Sequence, residues 1–542
     1  DAVMGKEFGI PKTGIFGLAD LVGIDLIPNV NRSLAAQLEA SDPFHSVNVP
    51  LPFVDRMIAE GLTGRKGKGG FYRINRAAGR RKEAIDFRTG DYRALLPATL
   101  DAATPLFDQD NAFGRYARKV WARVFSYACG LLGDAADDIA AIDTALRLGY
   151  NWRWGPFELM DRVGLETVGR LIAAEGLPVP QLLARAASGG FYRDGRMLTG
   201  DGTYQTIPRS PGIVFLADAM RNGQALLSNP SAALWDVGEG VACFALTTKM
   251  NTIDADVLDL LGKSIELAET RFKALVIGGD GPHASAGVNL NAVAGAIKDR
   301  DWTVAERLLA LGQQVFKQLK YARVPVVGMA YGLALGGGCE LLLHCAAIQA
   351  HGETSMGLVE CGVGLIPGWG GNGEMLQRFA ADPRQPKGPM PPVIRAFELI
   401  AMATVSSSAQ QARELGFLRP GDGITMNRDR LLADAKAKAL ALAEGYTPPE
   451  PPLFALPGAS GATALSLQAR ALHSAGKATD YDLVVAAALG RTLAGGDADV
   501  TRPLNERQLL DIERHEFLSL VQRPETLARI LHMLEAGKPL RN

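Results

Sequence analysis

Two glutamates, Glu340 and Glu360, stand twenty residues apart in the stretch LALGGGCELLLHCAAIQAHGETSMGLVECGVGLIPGWGG (Leu333 to Gly371), among glycines and aliphatics with few cations to neutralise them. An ionised carboxylate in apolar surroundings needs a partner or a raised pKa, because desolvation is costly. Two carboxylates whose surroundings push their proton affinities apart can hold one water and divide acid and base roles between them. Glu340 follows the glycine run Gly336 to Gly338 and the β-type run VPVVGMA, which predicts that it lies in the first turn of an apolar helix. The unpaired amides and dipole of that helix start suit a developing oxyanion and favour an ionised Glu340, the better base. Glu360 has aliphatics on both sides and no lysine or arginine close by, so its pKa is expected to rise. Upstream, HASAGVNL (His283 to Leu290) follows another β-type run, and its small residues allow a substrate close to the backbone, where its amides could supply a second oxyanion donor.

The elements that would position these groups are short β-type runs, 241–246, 274–279, 324–330 and 346–351, alternating with helical patterns such as DADVLDLLGKSIELAET and AERLLALGQQVFKQLK. That alternation indicates an α/β domain. After about residue 395 the pattern is helical, and the apolar stripe Leu527, Ile530, Leu531, Leu534 predicts a docked tail. The amino-terminal part carries an internal repeat. GIFGLADLVGID (Gly14 to Asp25) aligns with GPFELMDRVGLE (Gly155 to Glu166), and KGGFYR (Lys68 to Arg73) with SGGFYR (Ser188 to Arg193), across a basic stretch near 77–86. Two copies of one helical module are expected, with Leu18, Val22 and Leu26 as an apolar face and GGFY as a closing turn. Asp20 and Asp161 read as capping or hydrogen-bonding residues.

A chain of 542 residues exceeds one hydrophobic core, so two to four domains are expected. With 57 Lys+Arg against 58 Asp+Glu, no global field draws nucleic acid or an anionic membrane. Five scattered cysteines without metal-ligand spacing indicate free thiols and a reducing, cytoplasmic setting. The most apolar region, 326–350, is interrupted by Glu340 and His344, which argues against a membrane span. The opening DAVMGKEFGIPKTGIF lacks an initiator methionine and a helix-start signal, as expected of a cut within a longer protein.

Residues 231–420 resemble the enoyl-CoA hydratases of the crotonase superfamily. Their pattern SAG-x-D/N-L, GGGCEL, PE-x-x-x-G-x-x-PG-x-GG is met in order and spacing, and SSSAQQARELGFL (Ser406 to Leu418) resembles the helix that follows the family core. The resemblance implies Glu340 and Glu360 as the catalytic pair, an oxyanion hole from the amides of Ala286 and Gly337, and substrate contacts at Ala284, Gly287, Val288, Asn289 and Trp369. Asn289, Val359 and Trp369 depart from the usual residues, Trp369 bearing on the acyl pocket. The first 200 residues resemble the carboxy-terminal helical domains of 3-hydroxyacyl-CoA dehydrogenases, through IPKTGIFGLADLVGIDLI, GGFY and WGPFELMDRVG. Together these imply a fatty-acid β-oxidation multifunctional enzyme. Its expected parts are all-α repeats at 1–75 and 111–200, a linker at 201–230, a ββα-spiral α/β domain at 231–420 and a helical extension at 421–542.

The implied reaction is hydration of trans-2-enoyl-CoA to 3-hydroxyacyl-CoA without metal or redox cofactor. NAD would belong to a domain expected ahead of residue 1. The partners implied are acyl-CoA, a candidate thiolase subunit and further copies of the chain. A Δ3-Δ2 enoyl-CoA isomerase, which needs one carboxylate, and a non-catalytic thiolase scaffold are the alternatives. Of the remaining chemistry-bearing residues, His344, Cys339 and Cys361 read as core residues. Lys298, Arg300, Lys317, Lys320 and Arg323 could meet coenzyme A phosphates. Gly368, Gly370 and Gly373 form a G-x-G-x-x-G that follows GLIP and not a strand, which reads as a turn and not a dinucleotide site.

Overall fold

The computed structural model describes every residue except Ala77, Pro97, Thr99, Ala102 and Ala103, and for Asn222 the backbone alone. The chain forms two compact units, Asp1–Arg209 and Ser210–Asn542.

The first unit contains the repeat, and its hydrogen bonds explain why those residues recur. In each copy a helix (Gly14–Val22; Pro156–Val163) places one aspartate against the GGFY segment. Asp20 accepts the amides of Phe71 and Tyr72 at 2.7 and 2.8 Å, and Asp161 those of Phe191 and Tyr192 at 2.8 and 2.9 Å. A second aspartate in each copy was not legible as part of the repeat. Asp1 accepts Phe16 and Gly17 amides and the Tyr72 hydroxyl, while Asp143 accepts Phe157 and Glu158 amides and the Tyr192 hydroxyl. Asp143 is fully buried, and desolvation pushes its pKa up to about 7.

Two expectations are corrected here. GGFY does not close an all-helical module: it opens a three-stranded antiparallel sheet in each copy, Tyr72–Asn75, Arg81–Ile85, Tyr92–Ala94 and Tyr192–Arg193, Arg196–Leu198, Tyr204–Thr206. The stripe Leu18, Val22, Leu26 is not the buried face either; Val22 and Leu26 are exposed, and Gly14, Gly17 and Asp20 face inward. The helix turns that side inward because Asp20 must reach the Phe71 and Tyr72 amides. Substituting Asp161 by alanine leaves two amides without an acceptor. It is expected to destabilise this unit by about 1–3 kcal/mol per orphaned donor, read as an earlier first transition in urea unfolding followed by far-UV circular dichroism.

The second unit is built on a seven-stranded sheet: β1 (Leu227–Ser228), β2 (Ala232–Asp236), β3 (Val241–Leu246), β4 (Ala274–Ile277), β5 (Val326–Ala330), β6 (Ala347–His351) and β7 (Gly423–Thr425), hydrogen-bonded in sequence order. The first three strands are antiparallel and β3 to β7 are parallel. Strands β4 and β5 are buried at every position, as a parallel sheet covered on both faces requires, which is why they read as unbroken apolar runs. A two-stranded parallel sheet, Leu333–Leu335 with Ser355–Gly357, stands beside the main one, and Ser285 bridges to Ala334. The chain passes repeatedly from main sheet to small sheet to helix, the ββα spiral expected.

Five helices of this unit matter for the site: α1 (Trp302–Lys320), α2 (Gly337–Leu343), α3 (Gly371–Ala381), α4 (Glu506–Val521) and α5 (Pro524–Ala536). The expected boundaries shift. Strand Tyr204–Thr206, helix Leu216–Asn222 and β1 lie within the expected linker, and β7 extends the sheet past residue 420. The tail is docked through Ile530, which is fully buried, with Leu527 and Leu531 packed on the same core; Leu534 is exposed. All five cysteines are buried and unpaired, and no helix among the described residues is long and apolar enough to cross a membrane.

Candidate active site

Strand β5 and Leu333–Leu335 deliver the chain to Gly336, whose φ of +53° favours glycine and whose absent side chain leaves room for Glu360 Oε1, 3.3 Å from where a Cβ would lie. From there α2 begins, with Glu340 in its first turn and 2% exposed. The Glu340 side chain does not rely on its own helix start. Its Oε1 accepts the amides of Trp369 (2.8 Å) and Gly371 (2.9 Å), which lead into α3. It is the start of α3, not α2, that supplies the amides bonded to this carboxylate. Burial pushes the Glu340 pKa up to about 7, and these amides oppose the rise.

Glu360 opens a short 3₁₀ turn after Ser355–Gly357. Its stem is partly exposed to the cavity it lines, while both carboxylate oxygens are buried. Neither oxygen has a hydrogen-bond partner among the described residues, though its own amide and that of Val359 act to favour the charge. Desolvation, then the nearby charge of Glu340, raises its pKa well above the ordinary carboxylate range. Both carboxylates are thus shifted upward in proton affinity by burial, Glu360 under the added charge of Glu340.

Both line a cavity of about 420 Å³ together with Ala286, Gly287, Val288, Gly337 and Trp369. The 287 and 337 loops touch: a Cβ on Gly287 would lie 2.8 Å from Leu335 O and 3.3 Å from Gly337 N. The Ala286 amide is not a free donor, since it bonds Met250 O at 3.1 Å. This corrects the expected oxyanion pair. Gly287, with φ +92°, turns the chain, and the amides of Val288 and Gly337 are the ones that reach no acceptor among the described residues. Ala284 and Asn289 are absent from the cavity wall: Ala284 bonds Tyr331 O, and the Asn289 side chain caps the helix Leu290–Lys298. Trp369 is seated where only glycines fit, since a Cβ on Gly312 or Gly337 would come within 2.2 or 2.5 Å of its ring.

Leu290, Val293 and Leu309 form apolar wall, and Phe517, Met533 and Pro539 close it from the carboxy-terminal region. The sequence signalled none of these as site residues. It also missed Glu513 of α4, 1% exposed, which accepts the Gly370 amide and the Asn372 side chain, each at 2.8 Å. Nothing in ERQLLDIERHEFLSLV separates that glutamate from the other acidic residues of the helix. His344 is a satisfied core residue, its Nδ1 2.7 Å from Glu340 O, with burial holding its pKa down. Of the basic residues weighed for phosphate binding, Lys320 is buried between Glu374 and Glu506, and Arg323 pairs with Glu269. Lys317 lies 3.8 Å from Glu506, whereas Lys298 and Arg300 are exposed. The amides of Gly370 and Gly371 in the G-x-G-x-x-G are engaged by carboxylates and so are not available to a dinucleotide diphosphate.

The fold and this cavity define the class. The family profile "Enoyl-CoA hydratase/isomerase" matches residues 236–381, and the profile "3-hydroxyacyl-CoA dehydrogenase, C-terminal domain" matches 1–74 and 114–192. The chain is 33% identical to a probable 3-hydroxyacyl-CoA dehydrogenase of Bacillus subtilis over 100% of its own length and 70% of that protein. It is likewise 33% identical to a putative fatty acid oxidation complex trifunctional enzyme of Rickettsia felis over 96% of the chain and 68% of that protein. A probable enoyl-CoA hydratase of Bacillus subtilis is 28% identical over 35% of the chain and 67% of its own length. The chain belongs to the multifunctional fatty-acid oxidation enzymes in which 3-hydroxyacyl-CoA dehydrogenase carboxy-terminal domains precede a crotonase-type enoyl-CoA hydratase domain.

Proposed function

We propose that the cavity of the second unit adds water to trans-2-enoyl-CoA, giving 3-hydroxyacyl-CoA. The observation that carries this is a pair of buried carboxylates of raised proton affinity opening on one apolar cavity beside two unengaged amides. Glu340 takes a proton from water while the water oxygen bonds to C3. The electron pair of the C2–C3 double bond moves towards the thioester oxygen, held by the Val288 and Gly337 amides, and Glu360 delivers a proton to C2. A hydrogen-bond donor aimed at such an oxyanion is worth on the order of 10²–10³ in rate, and a positioned acid or base roughly 10²–10⁴. The apolar wall suits an acyl chain. Two carboxylates favour hydration over Δ3-Δ2 isomerisation, and offering both substrates tests this: loss of conjugated enoyl-thioester absorbance is expected, with slower turnover of the Δ3 isomer.

The pH dependence follows from the two roles. Hydration requires Glu340 ionised, so the rate should rise with pH through about 7, where its pKa lies. Glu360 must hold its proton, so the rate should fall again at higher pH, and kcat/KM measured from pH 5.5 to 10 should be bell-shaped. A profile flat across pH 6–8 would count against the assignment.

The whole protein is proposed also to be an NAD-dependent 3-hydroxyacyl-CoA dehydrogenase, on the match to that family and the relatives' names. Self-association, a thiolase partner and a cytoplasmic location are proposed with it, supported by the relative named as a trifunctional complex enzyme and by the free thiols.

A further inference from the structure

The turn that leads into α3 is held from two sides. Its successive amides alternate, with Trp369 and Gly371 donating to Glu340 Oε1 and Gly370, between them, donating to Glu513 Oε1. Gly370 adopts φ +96°, a left-handed conformation that favours glycine. Further polar groups of the turn are bonded as well, while Asn372 Oδ1 has no partner among the described residues. Asn372 Nδ2 bridges Pro367 O (3.0 Å) and Glu513 Oε2 (2.8 Å). Gln313 Nε2 bonds Gly368 O at 3.0 Å and lies 3.4 Å from Glu513 Oε1, while Arg514 fastens the Gln313 oxygen. A carboxylate from the carboxy-terminal helices therefore grips the peptide that lies between the two donors of the base.

We infer that Glu513 is a positioning residue for water activation, fixing through Gly370 and Asn372 the turn whose flanking amides orient Glu340. This rests on the hydratase reading above and deepens it. Alanine leaves the buried Gly370 amide and Asn372 side chain without a partner, and glutamine leaves one oxygen for two donors that meet different carboxylate oxygens, so one of them faces an NH2 group and the turn has reason to rotate. Trp369 and Gly371 move with it, and Glu340 loses its orientation. Glu360, on a different segment, keeps its place. The two halves of the reaction thus depend unequally on residue 513.

The test uses the full chain, with Glu513→Gln, close to isosteric, and Glu513→Ala beside the wild type. Two rates are measured: hydration of crotonyl-CoA, and exchange of the α-protons of butyryl-CoA into deuterated water, which needs Glu360 and the amides but no attacking water. Folding of each variant is checked by its melting curve. The expected result for Glu513→Gln is a fall in hydration kcat of about 30-fold or more with KM within about threefold, and exchange within about threefold of wild type. Hydration and exchange falling together in a folded variant, or neither falling, overturns the inference. Should Glu513→Ala not fold, Glu513→Gln alone decides. A wild-type chain inert in both reactions would instead dispose of the hydratase reading itself.

Discussion

Glutamine in place of Glu360 is expected to lower hydration of an enoyl thioester by about 10³-fold while leaving substrate affinity close to wild type. Glutamine matches the shape of the protonated acid but has no proton to give C2, so the loss falls on kcat, equivalent to about 4 kcal/mol of barrier at 1.36 kcal/mol per decade. Stability should move the other way. The folded-state pKa of Glu360 is raised above its unfolded value near 4.5. Its carboxyl is therefore tolerated without penalty below that value, and the protein loses stability as pH climbs towards the folded pKa. Glutamine carries no such penalty, so at pH 8 the variant should melt at or above the wild-type temperature. Steady-state rates and a melting curve on the same preparation check both halves, and near-normal turnover would refute the role given to Glu360.

Glu340→Gln should cost roughly 10²–10⁴ in hydration for a different reason. Both amides from the α3 start meet Oε1 of Glu340, so a glutamine oxygen can keep them and the turn should stay in place. What disappears is the basic oxygen. Exchange of α-protons, which runs through Glu360, should survive, whereas hydration should not. A variant that hydrates normally would show that water is activated elsewhere. One that loses exchange as well would show that the two carboxylates cannot be separated into two roles.

The parts of the site that are local in sequence are legible from it. Gly336 to Gly338 must turn and Glu340 must follow them, because a strand, three glycines and an apolar run leave few alternatives. Glu360 was conspicuous because a carboxylate without a counter-charge stands out among aliphatics. Which amide of the 286–288 loop is unengaged is not legible, since the Ala286 amide is taken by Met250 O, a partner that no local pattern names. Glu513 was invisible for the same reason: its importance comes from meeting Gly370 and Asn372 far away in the chain. In the first unit the repeat is plain in the sequence, but its buried face is not. Apolar periodicity marked Val22 and Leu26, whereas the amides of Phe71 and Tyr72 require Asp20 to point inward.

The late helices carry one more implication. Phe517, Met533 and Pro539 wall the chamber in which both glutamates sit. On a translating ribosome the sheet and the glycine turns emerge long before these residues do. Until α5 has been made and has folded back, that side of the chamber has no wall.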